Sequence, residues 1–216
     1  MPARLRILRG GRWVQLLLTE LAAGPGDSWQ WLQAHGRVLK CDEYSRTALL
    51  ELGGEPCFAK LYLPRSRLHG RILRTAMGRP IRSQDAAREL ATAAVRVPQP
   101  RGCLWVGNSA LTLTEGLEGS EDLQQQWAAA IDASARRRLL SAAAQSLAQL
   151  HLGAYSHGDC KWSNLLCRDR QVYLVDLDAV RRAPAGSRRQ ARDLARFTLN
   201  AEELAVEPGD YQAFLD

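Results

Sequence analysis

The sequence predicts an α+β fold in two parts, a β-rich first part and a helical second part that carries a small β insertion. Three observations predict it. Short apolar runs broken by Gly- and Pro-containing turns fill the first 116 residues. From Glu121 onward apolar residues recur at helical spacing instead. At 216 residues, 46% hydrophobic and 24% charged, the chain has the length and composition to bury a sizeable core.

The elements follow in order. Arg4 to Arg9 and Trp13 to Leu18 flank Gly10-Gly11 and read as a hairpin; a short helix starts at Asp27, and Gly36 reopens extended structure. Thr47 to Leu52 and Cys57 to Tyr62, separated by Gly53-Gly54-Glu55-Pro56, read as a second hairpin. Ser83 is read as the N-cap of a helix running to about Arg96, ended by Val97-Pro98-Gln99-Pro100. Cys103 to Val106 and Leu111 to Glu115 then pair around Gly107-Asn108. The clearest helix begins near Ser134, places Leu139, Ala143, Leu147 and Leu150 on one face, and stops at Gly153. Leu165 to Cys167 and Val172 to Val175 form a short hairpin, and Arg188 to Leu204 is the last amphipathic helix.

Composition narrows the function. No run approaches the roughly 18 apolar residues of a membrane span, and Met1-Pro2-Ala3-Arg4-Leu5-Arg6 lacks the apolar core of a signal peptide, so a cytoplasmic protein is expected. Five cysteines without CxxC spacing are read as free thiols. Basic residues outnumber acidic ones 29 to 23, and only three of them, Lys40, Lys60 and Lys161, are lysines. From Leu61 to Gln84 there is no acid, while Arg65, Arg67, Arg71, Arg74, Arg79 and Arg82 fall inside, a charge pattern that favours an anionic partner. A nucleic-acid reading draws on charge alone. Aromatics are 6% and not interleaved with the basic runs, so stacking platforms are missing.

The chemistry sits in His157-Gly158-Asp159-Cys160-Lys161-Trp162-Ser163-Asn164 and in Val172-Tyr173-Leu174-Val175-Asp176-Leu177-Asp178. Phosphoryl transfer needs one carboxylate to orient the acceptor hydroxyl, and an amide oxygen and a second carboxylate to hold Mg²⁺, a hard ion that prefers oxygen ligands. The order Asp, then Asn five positions on, then Asp after an apolar strand matches that need. His157 is read as bracing the loop, and Asp178 as capping the following turn.

These two runs, with the arginine-rich segment leading into Arg88-Glu89, resemble the protein-kinase-like superfamily, with HGD in place of HRD, and more narrowly the lipopolysaccharide kinase family that phosphorylates Kdo or heptose. The resemblance covers roughly Arg46 to Phe197. It implies a compact protein-kinase-like bilobal fold, with an N-lobe over residues 1–116 and a reduced helical C-lobe over 117–216, together one kinase-like domain. It implies ATP and Mg²⁺ as cofactors, Asp159 as catalytic base, Lys161 touching the transferred phosphoryl group, and Asn164 and Asp176 as metal ligands. Lys60 resembles the strand lysine that grips the nucleotide phosphates, and Glu89 its helical partner. Two of the chain's three lysines thus fall at motif positions.

The expected acceptor is a lipopolysaccharide core glycolipid at the cytoplasmic face of the inner membrane. Arg65 to Arg82 and Arg181 to Arg192 would contact its phosphates and carboxylates, or anionic lipid as a peripheral membrane contact. A phosphotransferase for another small hydroxylated molecule and a pseudokinase binding module are the alternatives. The chain departs from the family pattern in three ways. Glu43 to Gly54 contains no GxGxxG, so phosphate cover either comes from another backbone arrangement, around Tyr44-Ser45-Arg46, or is poor; Asp178 replaces the DFG glycine; and the 38 residues after it contain no APE element, which argues against a peptide substrate.

Overall fold

The computed structural model describes residues 5–23 and 27–216, so Arg4 lies outside the described residues. It is mixed, 47% helical and 26% strand, and separates into two compact units, Met1–Arg88 with Pro98–Glu118, and Glu89–Val97 with Gly119–Asp216.

The first unit is built on β1 (Leu5–Arg9), α1 (Arg12–Ala23), α2 (Ser28–His35), β2 (Gly36–Cys41), β3 (Ser45–Leu52), β4 (Glu55–Tyr62), α3 (Arg67–Leu73), α4 (Arg79–Thr92, whose last residues from Glu89 belong to the second unit), β5 (Pro100–Val106) and β6 (Ser109–Glu115). The strands form one antiparallel sheet in the order β1-β5-β6-β4-β3-β2. The β3–β4 turn is made by Gly53 and Gly54 with φ of +60° and +76°, the pair of left-handed residues that a two-residue hairpin requires. Strand residues alternate between faces. Cys57, Ala59 and Leu61 of β4 join Val14, Leu17 and Leu32 in the main core, while Tyr62 joins Leu73, Trp105 and Ala110 on the other face.

Two expectations fail here, each for a physical reason. Trp13 to Leu18 is not a strand but part of α1, because Val14, Leu17 and Leu21 recur at three and four and bury one helical face. The helix read from Ser83 starts at Arg79 instead: Pro80 sits in its first turn, where a missing N–H is harmless, and Ser83 is interior with its hydroxyl on the Pro80 carbonyl. The arginine-rich segment holds α3, N-capped by Ser66.

The second unit continues with β7 (Glu121–Asp122), α5 (Leu123–Ala129), α6 (Ala133–Leu152), β8 (Tyr155–Ser156), β9 (Leu165–Arg168), β10 (Gln171–Leu174), β11 (Arg181–Arg182), α7 (Arg188–Glu203) and α8 (Pro208–Leu215). Asp122 and Asp132 cap α5 and α6 through their carboxylates. The buried stripe of α6 runs through Leu140, Ala143, Leu147 and Leu150, so Leu140 rather than Leu139 begins it. Its end also differs in detail, since Gly153 keeps φ at −68° and Ala154 takes the left-handed position at +61°. Nor is α7 the last helix: α8 follows and packs along α6. An aromatic chain, Trp127 to Trp162 to Phe197 to Phe214, with centroids 4.2–5.6 Å apart, ties α5, the loop before β9, α7 and α8 together. Among the described residues no helix is long and apolar enough to cross a membrane.

Candidate active site

The loop His157–Asn164 is held from beneath by one carboxylate. Asp193, 1% exposed on the inner face of α7, accepts the main-chain N–H of His157 on Oδ2 at 2.7 Å and that of Gly158 on Oδ1 at 2.8 Å. The His157 ring is fully buried, and burial lowers its pKa from the ordinary histidine value against the pull of Asp193. Its Nε2 lies 3.0 Å from the Val175 carbonyl, which can only accept, so Nε2 carries the proton, and Nδ1 faces the Asp159 N–H at 3.4 Å. The histidine is therefore a neutral brace between loop and strand. Gly158 has φ of +81°, and a Cβ there would stand 2.7 Å from the Ala179 carbonyl oxygen. Glycine in HGD is a steric requirement of this loop.

Four of the six residues singled out in the sequence come together around that brace. Asn164 donates its amide to the Asp159 carbonyl at 2.9 Å and to Asp159 Oδ2 at 3.1 Å. Both partners only accept, so the nitrogen is fixed there and Oδ1 is turned the other way. Lys161 Nζ is 3.2 Å from the same Asp159 Oδ2, and both side chains are partly open to water. Val175 gives its N–H to the Asn164 carbonyl at 3.0 Å and its carbonyl to His157. The end of β10 is thus stitched to the loop on both sides, which sets the position of Asp176. Asp176 is exposed and adopts the left-handed conformation, φ 58° and ψ 52°, a strained backbone for a residue with a Cβ.

This donor set suits a hard divalent ion. Asn164 Oδ1 and the Asp176 carboxylate are both oxygens, and among the described residues no group of three or more His, Cys, Asp or Glu forms a dedicated cage. Mg²⁺ is ordinarily held in that sparse way, by one or two protein oxygens, water and substrate phosphates.

The other two residues lie elsewhere in the chain. Lys60 stands on β4 between Thr47 of β3 and Thr112 of β6, with its ammonium 4.9 Å from the Tyr62 ring centroid. Glu89, in the second unit, accepts the Tyr155 hydroxyl on Oε2 at 2.8 Å and the Arg182 guanidinium at 3.2 Å. The Tyr155 hydroxyl is correspondingly raised in pKa, by burial first and Glu89 second.

The backbone expected to cover phosphates is otherwise engaged. The N–H groups of Tyr44 and Ser45 both donate to Asp42 Oδ1, at 2.9 and 2.6 Å, in an Asx turn braced by Lys40. These bonds, Lys40 foremost, hold the Asp42 carboxyl far below the usual range. Sequence reasoning missed Asp193, and also Asn200, whose side-chain oxygen accepts the Trp162 N–H at 3.1 Å. A signal was present: Gln190, Asp193, Phe197 and Ala201 share the buried face of α7, and a carboxylate on such a face demands partners.

An antiparallel sheet with a central lysine, followed by a helical unit carrying this Asp-Asn loop and a second aspartate after a short hairpin, defines the protein-kinase-like fold. Solved structures agree. "WaaP in complex with acyl carrier protein" matches with a TM-score of 0.64 at 20% identity, over 98% of this chain and 87% of that one. A "BubR1 kinase domain" matches with a TM-score of 0.53 at 14% identity, over 68% of this chain and 47% of that one. The chain belongs to the lipopolysaccharide kinase (Kdo/WaaP) family, whose sequence profile matches residues 29–216. No curated protein matches it. Membership makes it a sugar kinase of the lipopolysaccharide core.

Proposed function

We propose that the protein transfers phosphate from ATP to a hydroxyl of Kdo or heptose in the lipopolysaccharide inner core. It works at the cytoplasmic face of the inner membrane with a peripheral contact to it. The observation that supports this most directly is the hydrogen bond from Asn164 to Asp159 in a chain of this family, because one residue pair then serves both acceptor and metal.

Asp159 is the base. Its partly exposed carboxylate orients the incoming sugar hydroxyl and takes its proton, while the Asn164 amide and the Lys161 ammonium fix Oδ2. Lys161 also offers positive charge to the transferred phosphoryl group. Asn164 Oδ1 and Asp176 would hold Mg²⁺, which when bound neutralises and orients the nucleotide phosphates. Lys60 supplies a point charge to those phosphates, with Glu89 as its assigned carboxylate partner.

Mass spectrometry of lipopolysaccharide core from cells with and without the gene tests the reading. Loss of one phosphate on a core sugar, restored by the wild-type gene and not by Asp159→Asn, is expected. Unchanged phosphate content overturns it.

A further inference from the structure

We propose that α3 and the turn after it form a membrane-docking surface, in which Leu68, Ile72 and Met77 enter the headgroup region of an anionic bilayer while Arg67, Arg71 and Arg74 pair with lipid phosphates. The choice of a bilayer rests on the reading of a lipid-borne acceptor; the surface itself is read from the chain.

Gly70 and Leu73 turn inward, Leu73 into the cluster of Tyr62, Trp105 and Ala110. Helical spacing then leaves two parallel rows outside, Leu68 with Ile72 and Arg67 with Arg71 and Arg74. Leu68 is 66% exposed, Ile72 42% and Met77 77%. Single exposed apolar residues are ordinary, but three within ten positions, Leu68 and Ile72 each next to an arginine and Met77 two residues before Arg79, with no acid from Leu61 to Gln84, form an interfacial pattern.

Met77 is not on a loose loop. Thr75 Oγ1 donates to the Ile72 carbonyl at 2.8 Å and accepts the Met77 N–H at 3.3 Å, and the Gly78 N–H returns to the Thr75 carbonyl at 2.9 Å. Gly78 packs so closely that a Cβ there would lie 2.6 Å from the Ile72 carbonyl oxygen. The turn is folded back on the end of α3 and presents its methionine outward. The exposed Arg74 holds its guanidinium over the Trp105 ring, 4.8 Å from the centroid, which keeps the charge at the surface of this face. Projecting apolar tips edged by arginine forks suit headgroups, which combine phosphate with acyl chain.

Co-sedimentation of the full chain with vesicles tests the surface directly. Wild type should bind phosphatidylglycerol/phosphatidylethanolamine vesicles, ignore phosphatidylcholine, and release as salt rises. Leu68→Ser/Ile72→Ser/Met77→Ser together should lower partitioning about tenfold or more at every salt concentration, with unchanged thermal unfolding and unchanged activity on detergent-dispersed core glycolipid. Arg67→Gln/Arg71→Gln/Arg74→Gln should remove the preference for anionic lipid. Equal vesicle binding by the serine variant overturns the proposal. Retention on acyl carrier protein, lost in that variant without any vesicle binding, also overturns it and assigns the face to a protein partner. A wild type that binds vesicles yet phosphorylates no core glycolipid refutes the proposed function and leaves the docking surface standing.

Discussion

Asp193 Oδ1 accepts the main-chain N–H of Gly158 at 2.8 Å, so a residue 35 positions further on in α7 fixes the turn from which Asp159 projects. Replacing it by asparagine keeps the volume but sets an amide N–H₂ against a backbone donor. Asp193→Asn should destabilise the protein by about 2–4 kcal/mol, because a buried charge-assisted pair of hydrogen bonds loses one acceptor. At this chain length that corresponds to a drop of roughly 5–15 °C in Tm. Thermal unfolding of purified wild type and variant measures it.

Asp159→Asn should lower turnover by about 10²-fold or more while nucleotide affinity changes little, since in the proposed role Asp159 acts on the acceptor hydroxyl. Steady-state kinetics combined with nucleotide titration separates the two effects. A variant retaining more than about a tenth of wild-type turnover would remove Asp159 from the role of base.

Asp176→Asn offers a clean probe of the proposed metal site. Asparagine tolerates the left-handed backbone at φ 58°, so the fold should persist while the carboxylate is gone. ATP with Mg²⁺ should raise the Tm of wild type in thermal shifts and leave that of the variant unmoved, while unliganded Tm values should agree within a few degrees.

Gly158→Ala should be among the most damaging single-methyl additions in the chain. Both the φ of +81° and the Ala179 carbonyl, 2.7 Å from the added carbon, oppose it. A loss of about 2–4 kcal/mol in urea unfolding is expected, and Gly158→Arg, which restores the HRD pattern, should be no better.

The fork between Arg9 and Asp85, with bonds of 2.8 and 2.7 Å, gives an acid-dependent signature in the first unit. Arg9 depresses the Asp85 pKa from 3.8, so the carboxylate binds its proton more weakly folded than unfolded. The stabilisation is present above pH 3.8 and is lost as pH falls through the folded value. At 38% side-chain exposure, solvent screening limits it to about 0.5–1 kcal/mol. Asp85→Asn should cost that much at pH 7, and the two stability curves should converge in strong acid.

The His157–Asn164 segment and three of the four hairpins were legible because turn chemistry and motif spacing are local. Gly53-Gly54 and Gly107-Asn108 announce their turns, and Asp159 and Asn164 lie on one short segment. What was not legible depends on distant partners. Trp13 to Leu18 has enough bulky apolar residues to pass for a strand until the stripe is followed on to Leu21. Tyr44 and Ser45 look available for phosphate until Asp42, two and three residues earlier, is seen to take both amides. Asp193 is one carboxylate in an arginine-rich helix, and its role lies wholly in what the fold brings beneath it.

The groups that fix His157–Asn164 include the Asp193 carboxylate, the Val175 main chain, the Asn164 amide and the Asn200 side chain, all supplied by the fold. Fixing one residue's backbone costs about 1–2 kcal/mol, so a segment of this length ordered only on substrate arrival would consume much of the binding free energy. Here that entropy is lost once, during folding. Catalytic readiness is therefore tied to the survival of α7, and heat should extinguish activity together with the native state, without a prior phase in which a folded protein has a loosened loop.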